Sequence, residues 1–267
     1  EMTYSENGNM MTVNDMTYSV NGVDSIVFSE PKFNTVSKIS RDTVWIGYHG
    51  SSVTVSKNND SISVSANGAH VTVTSSVVGT EITYLLSGSS SDGSLTINGD
   101  YKLTLALNGL ALTNSTGAAI DVECGKRIAI TLADGSTNTL IDGAGGSQKA
   151  CFYVKGHAEF SGAGSLALTG NTKHAFSSKE YLEIKKSTGS IVVNSAVGDG
   201  VHCGQYFEMN GGTVTVANTK GDCIDADDLG NVKIKGGTLN LTVSADDTKG
   251  INCDSTFTQS GGDINLT

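Results

Sequence analysis

From Gly164 onward, apolar and polar residues alternate in short runs, and each run opens on a glycine. The phrases are Gly164-Ser-Leu-Ala-Leu, Gly189-Ser-Ile-Val-Val, Gly212-Thr-Val-Thr-Val, Gly237-Thr-Leu-Asn-Leu and Gly262-Asp-Ile-Asn-Leu, returning every 23 to 25 residues. A second apolar anchor (Phe176, Val201, Ile224, Ile251) follows the glycine by 12 residues in three cases and 14 in the fourth. A third short run then leads to the next glycine: Leu182 to Ile184, Phe207 to Met209, Val232 to Ile234 and Phe257 to Gln259. Period-two alternation marks strands, and three strands in a fixed repeat mark coils of a parallel β-helix. Helical repeats are excluded, because Gly-Gly pairs, Val, Ile, Thr and Asn dominate and no stretch keeps apolar residues at a 3.6 spacing. Stacked coils place equivalent residues about 4.8 Å apart, so each column of the repeat is a ladder in space.

The pattern is looser upstream. Val53-Thr-Val55, Ile62-Ser-Val64, Val71-Thr-Val73 and Leu95-Thr-Ile97 predict the first coils, beginning near residue 44. Leu103 to Leu107, Leu110 to Leu112, Ile120 to Val122 and Ile128 to Leu132 predict separate strands of one and a half further coils. The loop Asp142-Gly-Ala-Gly-Gly-Ser-Gln-Lys149 bulges out as a flexible surface loop; with no Gly-Lys-Ser/Thr ending, it is not a phosphate cradle. Residues 1–43 fall outside the repeat. Met10 to Val13 and Ile26 to Phe28 read as strands on either side of an Asn21-Gly22 turn, forming a cap over the first coil or a tether. The sequence stops after a repeat strand, which leads us to expect a further chain segment or partner over the last coil.

Composition narrows the function. A net charge of −10 argues against nucleic acid and anionic membrane surfaces. No apolar run approaches the roughly 20 residues that span a bilayer. The chain opens on Glu1, so an export signal, with or without a lipid anchor, is expected to have been removed from a precursor. The five cysteines are expected to be free thiols: Cys203 and Cys253 share an inward column with Ala226 between them, which puts them about 9.6 Å apart and beyond disulfide reach.

The runs Tyr84 to Ile97, Leu105-Ala-Leu-Asn-Gly-Leu110, Gly117-Ala-Ala-Ile120 and Ile130 to Gly143, with the later Gly-Asp-Gly-Val, Gly-Asp-Cys-Ile and Lys-Gly-Ile-Asn phrases, resemble a family of bacterial carbohydrate-binding domains. The resemblance covers roughly residues 82–267. It implies an all-β, right-handed parallel β-helix similar in shape to calcium-dependent pectate lyases, which binds acidic plant polysaccharide and calcium. Val23-Asp-Ser-Ile-Val-Phe28 looks like a phrase near the start of exported proteins of gut Bacteroidetes, which implies an extracellular or cell-surface location.

Nine aspartates lie between Asp199 and Asp263. Two residues before the anchor stand His174, Asp199, Asp222 and Lys249; one after it Ser177, His202, Asp225 and Asn252; three after it Lys179, Gly204, Asp227 and Asp254. Carboxylates one rung apart repel unless a cation lies between them, and calcium takes oxygen ligands of this kind. We expect calcium among Asp199, Asp222, Asp225, Asp227, Asp246, Asp247 and Asp254, with His202, Tyr206, Lys249 and Asn252 meeting the polysaccharide. The cation would bridge to uronate carboxylates. Three alternatives stand beside this: a solvated acidic face balanced by Lys249 and His174, a lyase with Lys249 as base, and a structural rod or adhesin. Asp222, Asp246 and Asp247 beside Lys249 would keep it protonated, which is wrong for a base.

Overall fold

A computed structural model describes residues 40–267 except Asp228, and the backbone of three short strands before them. Those three, Met2–Tyr4, Met10–Val13 and Met16–Ser19, form an antiparallel sheet within the compact unit Glu1–Lys38. The strand at Met10–Val13 agrees with expectation. The Asn21-Gly22 turn, the strand at Ile26 to Phe28 and the Val23 to Phe28 phrase lie outside the described residues.

Residues 39–267 form the second unit, a parallel β-helix of about eight coils with no helix among the described residues. Three faces run along it. The first holds Ile128–Leu132, Ala158–Ser161, Leu182–Ile184, Phe207–Met209, Val232–Ile234 and Phe257–Gln259. The second holds Thr137–Ile141, Ser165–Gly170, Ser190–Ala196, Thr213–Val216, Thr238–Leu241 and Asp263–Leu266. The third holds Gly93–Asn98, Ile120–Glu123, Ala150–Val154, His174–Ser178, Val201–Cys203, Ile224–Ala226 and Ile251–Cys253. The last three tripeptides of the third run, and the anchors Phe176, Val201, Ile224 and Ile251, stack in the expected register.

The repeated glycine has a steric cause. A Cβ at Gly189, Gly237 or Gly262 would stand 2.2, 2.5 or 2.8 Å from the carbonyl oxygen of the repeat glycine one coil earlier. At Gly212, Gly237 and Gly262 the backbone is also left-handed, with φ of 76°, 87° and 73°, a conformation that favours glycine. The coil corner therefore closes only where no side chain intervenes.

Inside, alternate residues form apolar ladders. One runs Leu105, Ile130, Phe160, Ile184, Met209, Ile234, all buried. Phe152, Phe160 and Phe176 meet edge to face across the core, with centroids 5.3 to 6.4 Å apart. All five cysteines are free, and Cys203, Ala226 and Cys253 form the expected column.

Two upstream expectations are corrected. Residues 43–75 are not regular coils but two antiparallel hairpins, Thr43–His49 with Ser52–Lys57 and Ile62–Asn67 with Ala69–Ser75. Their tight turns rest on Gly50 and Gly68, at φ of 66° and 61°. One strand of each hairpin pairs in parallel with the helix proper. Leu103 to Leu107 and Leu110 to Leu112 are one strand, Leu103–Thr113, which passes from the first face to the second through a register shift. The loop after Ile141 is also better anchored than expected. Buried Asp142 accepts hydrogen bonds from the Asn171 N–H and from Gln148 Nε2, which also donates to Gly143 O and Thr172 Oγ1.

Candidate functional site

The third face is where polar chemistry collects. Its strands are short, and at the corner leading into them the column His174, Asp199, Asp222 performs one structural task. The Asp199 N–H meets His174 Nδ1 at 3.1 Å, the Asp222 N–H donates to Asp199 Oδ1 at 2.8 Å, and the Lys249 N–H donates to Asp222 Oδ1 at 2.6 Å. Each rung thus supplies the acceptor for the backbone of the next. A small polar acceptor is needed here because these amides fall outside the strand ladders.

On the outward side of the strands the register is Asp121, Tyr153, Ser177, His202, Asp225, Asn252. His202 is the hub. Its Nδ1 lies 3.0 Å from Asp225 Oδ2 and 3.5 Å from Asp199 Oδ2, and its Nε2 lies 3.6 Å from Asp227 Oδ2. Asn252 Nδ2 donates to Asp225 Oδ1 at 2.9 Å. His174 stacks on His202 with ring centroids 4.4 Å apart and planes 11° from parallel, while its Nδ1 also sits 3.1 Å from Asp199 Oδ2. The imidazole at the centre of three carboxylates answers the repulsion that an aspartate ladder creates.

The protonation pattern follows from this packing. Hydrogen bonds to Asp199 and Asp225 push His202 up to about 9, against the opposing effect of burial. Burial lowers His174, with Asp199 pulling the other way. For Asp199, burial alone would raise the carboxyl, but the imidazoles of His174 and His202 beside it and the Asp222 N–H on Oδ1 outweigh it and hold the group below the usual carboxylate range. At neutral pH His202 is therefore the cation of the cluster and His174 is neutral.

The predicted residues are gathered only in part. Asp199, Asp225, Asp227, His202 and Asn252 converge, and Asp222 is one rung along the corner column. Asp246 and Asp247 lie exposed in a turn, Asp247 at φ of 60°, and Asp254 is exposed one coil beyond Asp227. Lys249 is exposed and makes no ion pair with Asp222, Asp246 or Asp247. Tyr206 belongs to another place, the corner that enters the first face. There it stacks on Tyr181 (4.5 Å, 5°), which stacks on His157 (4.4 Å, 18°), and Lys233 Nζ lies 5.9 Å from its ring centroid.

Sequence reasoning passed over His174 as a donor, although the column alignment set it beside Asp199. It also passed over a second acidic column on the first face, Glu159, Glu183 and Glu208. That column is balanced from within: Lys185 pairs with Glu159 and Glu183, Lys235 with Glu208, and Arg127 with Glu159 and Glu81.

Among the described residues, two groups bring three metal-ligating side chains within 4.8 Å of one another: His174, Asp199, His202 and His202, Asp225, Asp227. The first offers two imidazoles and one carboxylate, a borderline donor set unlike the oxygen cage of calcium. The second offers two carboxylates, with Asn252 hydrogen-bonded to Asp225 on the next rung. The oxygens of Asp225, Asp227 and Asn252 fit a hard cation; the His202 imidazole does not.

Residues 67–267 match a family described as carbohydrate-binding domain-containing protein. A relative with that description, from Acetivibrio thermocellus, is 26% identical over 122 residues, which are 42% of this chain and 42% of the relative. The chain thus spans less than half the length of that curated relative. Among solved structures, the polysaccharide lyase-like protein from C. thermocellum, a gadolinium derivative, superposes with a TM-score of 0.63 at 20% identity. The likeness covers 83% of this chain and 99% of that one, and it is a likeness of fold.

Proposed function

The chain belongs to the carbohydrate-binding domain-containing family, and from that premise we propose that its third face holds an acidic, uronate-bearing polysaccharide outside the cell, aided by calcium. One observation carries the reading: Asp199, Asp225 and Asp227 are drawn together on an outward face around His202. A protein of net charge −10 repels an anionic polymer unless a cation stands between them. A divalent ion at the oxygens of Asp225, Asp227 and Asn252 supplies that bridge: it neutralises the two carboxylates, and because calcium takes about 6 to 8 oxygen ligands its open positions remain for a uronate carboxylate. The imidazolium of His202 occupies the same electrostatic position when the ion is absent, so ion and proton compete for the cluster.

The test is retention on immobilised polygalacturonate with calcium and with chelator, together with thermal unfolding under both conditions. Retention is expected only with calcium. Unfolding is expected to gain about 2.7 kcal/mol at a calcium concentration 100 times its dissociation constant. Asp225→Ala is expected to remove most of both effects. Retention that survives chelation, or melting indifferent to calcium, would sink the metal-bridged reading. Appearance of unsaturated uronate product during the same incubation would add lyase activity.

A further inference from the structure

Two rungs before His202 on the same outward column, the third face opens into a cleft of about 310 Å³ between Ile120–Glu123 and Ala150–Val154. The anchored loop closes one side, contributing Gln148 and Lys149. Asp121 and Tyr153, register partners, line the floor. Lys149 Nζ donates to the Tyr153 hydroxyl at 3.1 Å and lies 4.5 Å from the centre of its ring. Glu123, at the rim, is taken up by Lys155 at 3.4 Å.

What sets this cleft apart is Asp121. Its carboxyl has no hydrogen-bond or ion-pair partner among the described residues, and Oδ1 is buried. Lys149, in the same cleft, is not within ion-pair distance of it, although it keeps N–H groups beyond the one given to Tyr153. Burial, and secondarily Glu123, push Asp121 up to about 6, with Lys149 opposing, as suits a carboxyl short of partners. An acceptor and a donor that face one cleft without touching call for a group able to serve both. A hydroxyl does so, since it accepts from the ammonium and donates to the carboxylate. A carboxylate ligand would be drawn to Lys149 but repelled by Asp121 and Glu123.

We infer that Asp121, Lys149 and Tyr153 form a metal-independent sugar subsite, which takes the hydroxyl-bearing edge of a ring of the same chain that passes the His202 cluster. The inference rests on the third face as the carbohydrate surface, though not on calcium. Tyr153 and His202 are about 9.6 Å apart along the column, so one polysaccharide lying across the rungs reaches both. The two places divide the recognition: charge at His202, hydroxyl geometry at Asp121.

The experiment measures binding of cellohexaose, xylohexaose and hexagalacturonate by calorimetry, in calcium and in chelator. Lys149→Met and Asp121→Ala are each expected to weaken, by at least about tenfold, the binding of the two neutral sugars in either buffer and of hexagalacturonate in calcium, a factor equivalent to roughly 1.4 kcal/mol. Asp121→Asn, which keeps one acceptor oxygen, is expected to lose less. Melting curves of the three variants, close to that of the unaltered protein, show that the fold is intact. Full affinity in both Lys149→Met and Asp121→Ala, or no binding of any of the three sugars by the unaltered protein, overturns the subsite. If chelation abolishes binding while the variants bind normally, the calcium reading stands and the subsite falls. If the variants lose affinity while calcium has no effect, the reverse holds.

Discussion

His202→Ala is expected to lower the unfolding free energy by about 3 to 5 kcal/mol when measured in chelator near pH 7, the cost of removing one partner from a buried charge cluster. The side chain of His202 is only 21% exposed, and those of Asp199 and Asp225 16% and 12%, so water cannot replace the lost cation well. Three carboxylates remain, and part of the loss returns if they take up protons. The pH dependence identifies the cause. Because the folded-state value of His202 is raised to about 9, its stabilisation is fully present below the ordinary histidine value near 6.5 and is lost as pH rises through 9. The difference between the unaltered protein and His202→Ala should therefore be largest near pH 6 and shrink by about 3 kcal/mol by pH 10. Asp199 has the opposite sign: its lowered carboxyl contributes above the ordinary aspartate range and fails only as pH falls well below it. Urea unfolding at several pH values reads both. A deficit of the same size at pH 6 and pH 10 would mean that His202 acts by packing rather than charge.

Phe176→Ala is expected to cost about 3 to 5 kcal/mol at every pH, which in a unit of this size is a fall of roughly 10 °C in melting temperature. Phe176 is 1% exposed and contacts both Phe152 and Phe160 edge to face, with centroids 5.3 Å away. It lies in the third-face strand beneath Ser177, midway between Tyr153 and His202 in the register. Truncation leaves a cavity that coils fixed by backbone ladders cannot close. Thermal unfolding checks it, and a drop below about 3 °C would show that neighbouring coils collapse into the space.

Much of the helix was legible because its period has a steric origin. The glycine at each corner, the apolar anchor and the outward column obey one spacing, so Phe207–Met209, Val232–Ile234 and Phe257–Gln259 fall where the pattern puts them. Upstream, Val53 to Val55 and Val71 to Val73 carry the same alternation, yet Gly50 and Gly68 turn those strands back on their neighbours. Alternation identifies a strand and its buried side; it does not say whether the partner runs parallel. The site divides in the same way. Columns of aspartate were visible, and so was the need for a cation between them. The spacing set His202 and Asp225 on adjacent rungs, but that the imidazole turns to meet Asp199, Asp225 and Asp227 at once depends on side-chain placement, which a column of residues does not fix. The Asp121 cleft was hidden for a different reason: it depends on a loop whose glycines suggested freedom, while Asp142 and Gln148 pin it.

The third face also behaves as a ruler. Its side chains stand on rungs of equal height, so the gap between any two points on it is a whole number of coils. Removing residues 165–189 would join Gly164 to Ser190, keep the glycine phrase intact and set Tyr153 on the rung beside His202, at the loss of His174 from the His202 cluster and of Asn171 and Thr172 from the loop that holds Gln148. Adding a coil at the same place would lengthen the gap by one rung, about 4.8 Å. On the proposed reading, the span of ligand held between the two points is a count of repeats, lengthened by whole coils in steps of one rung.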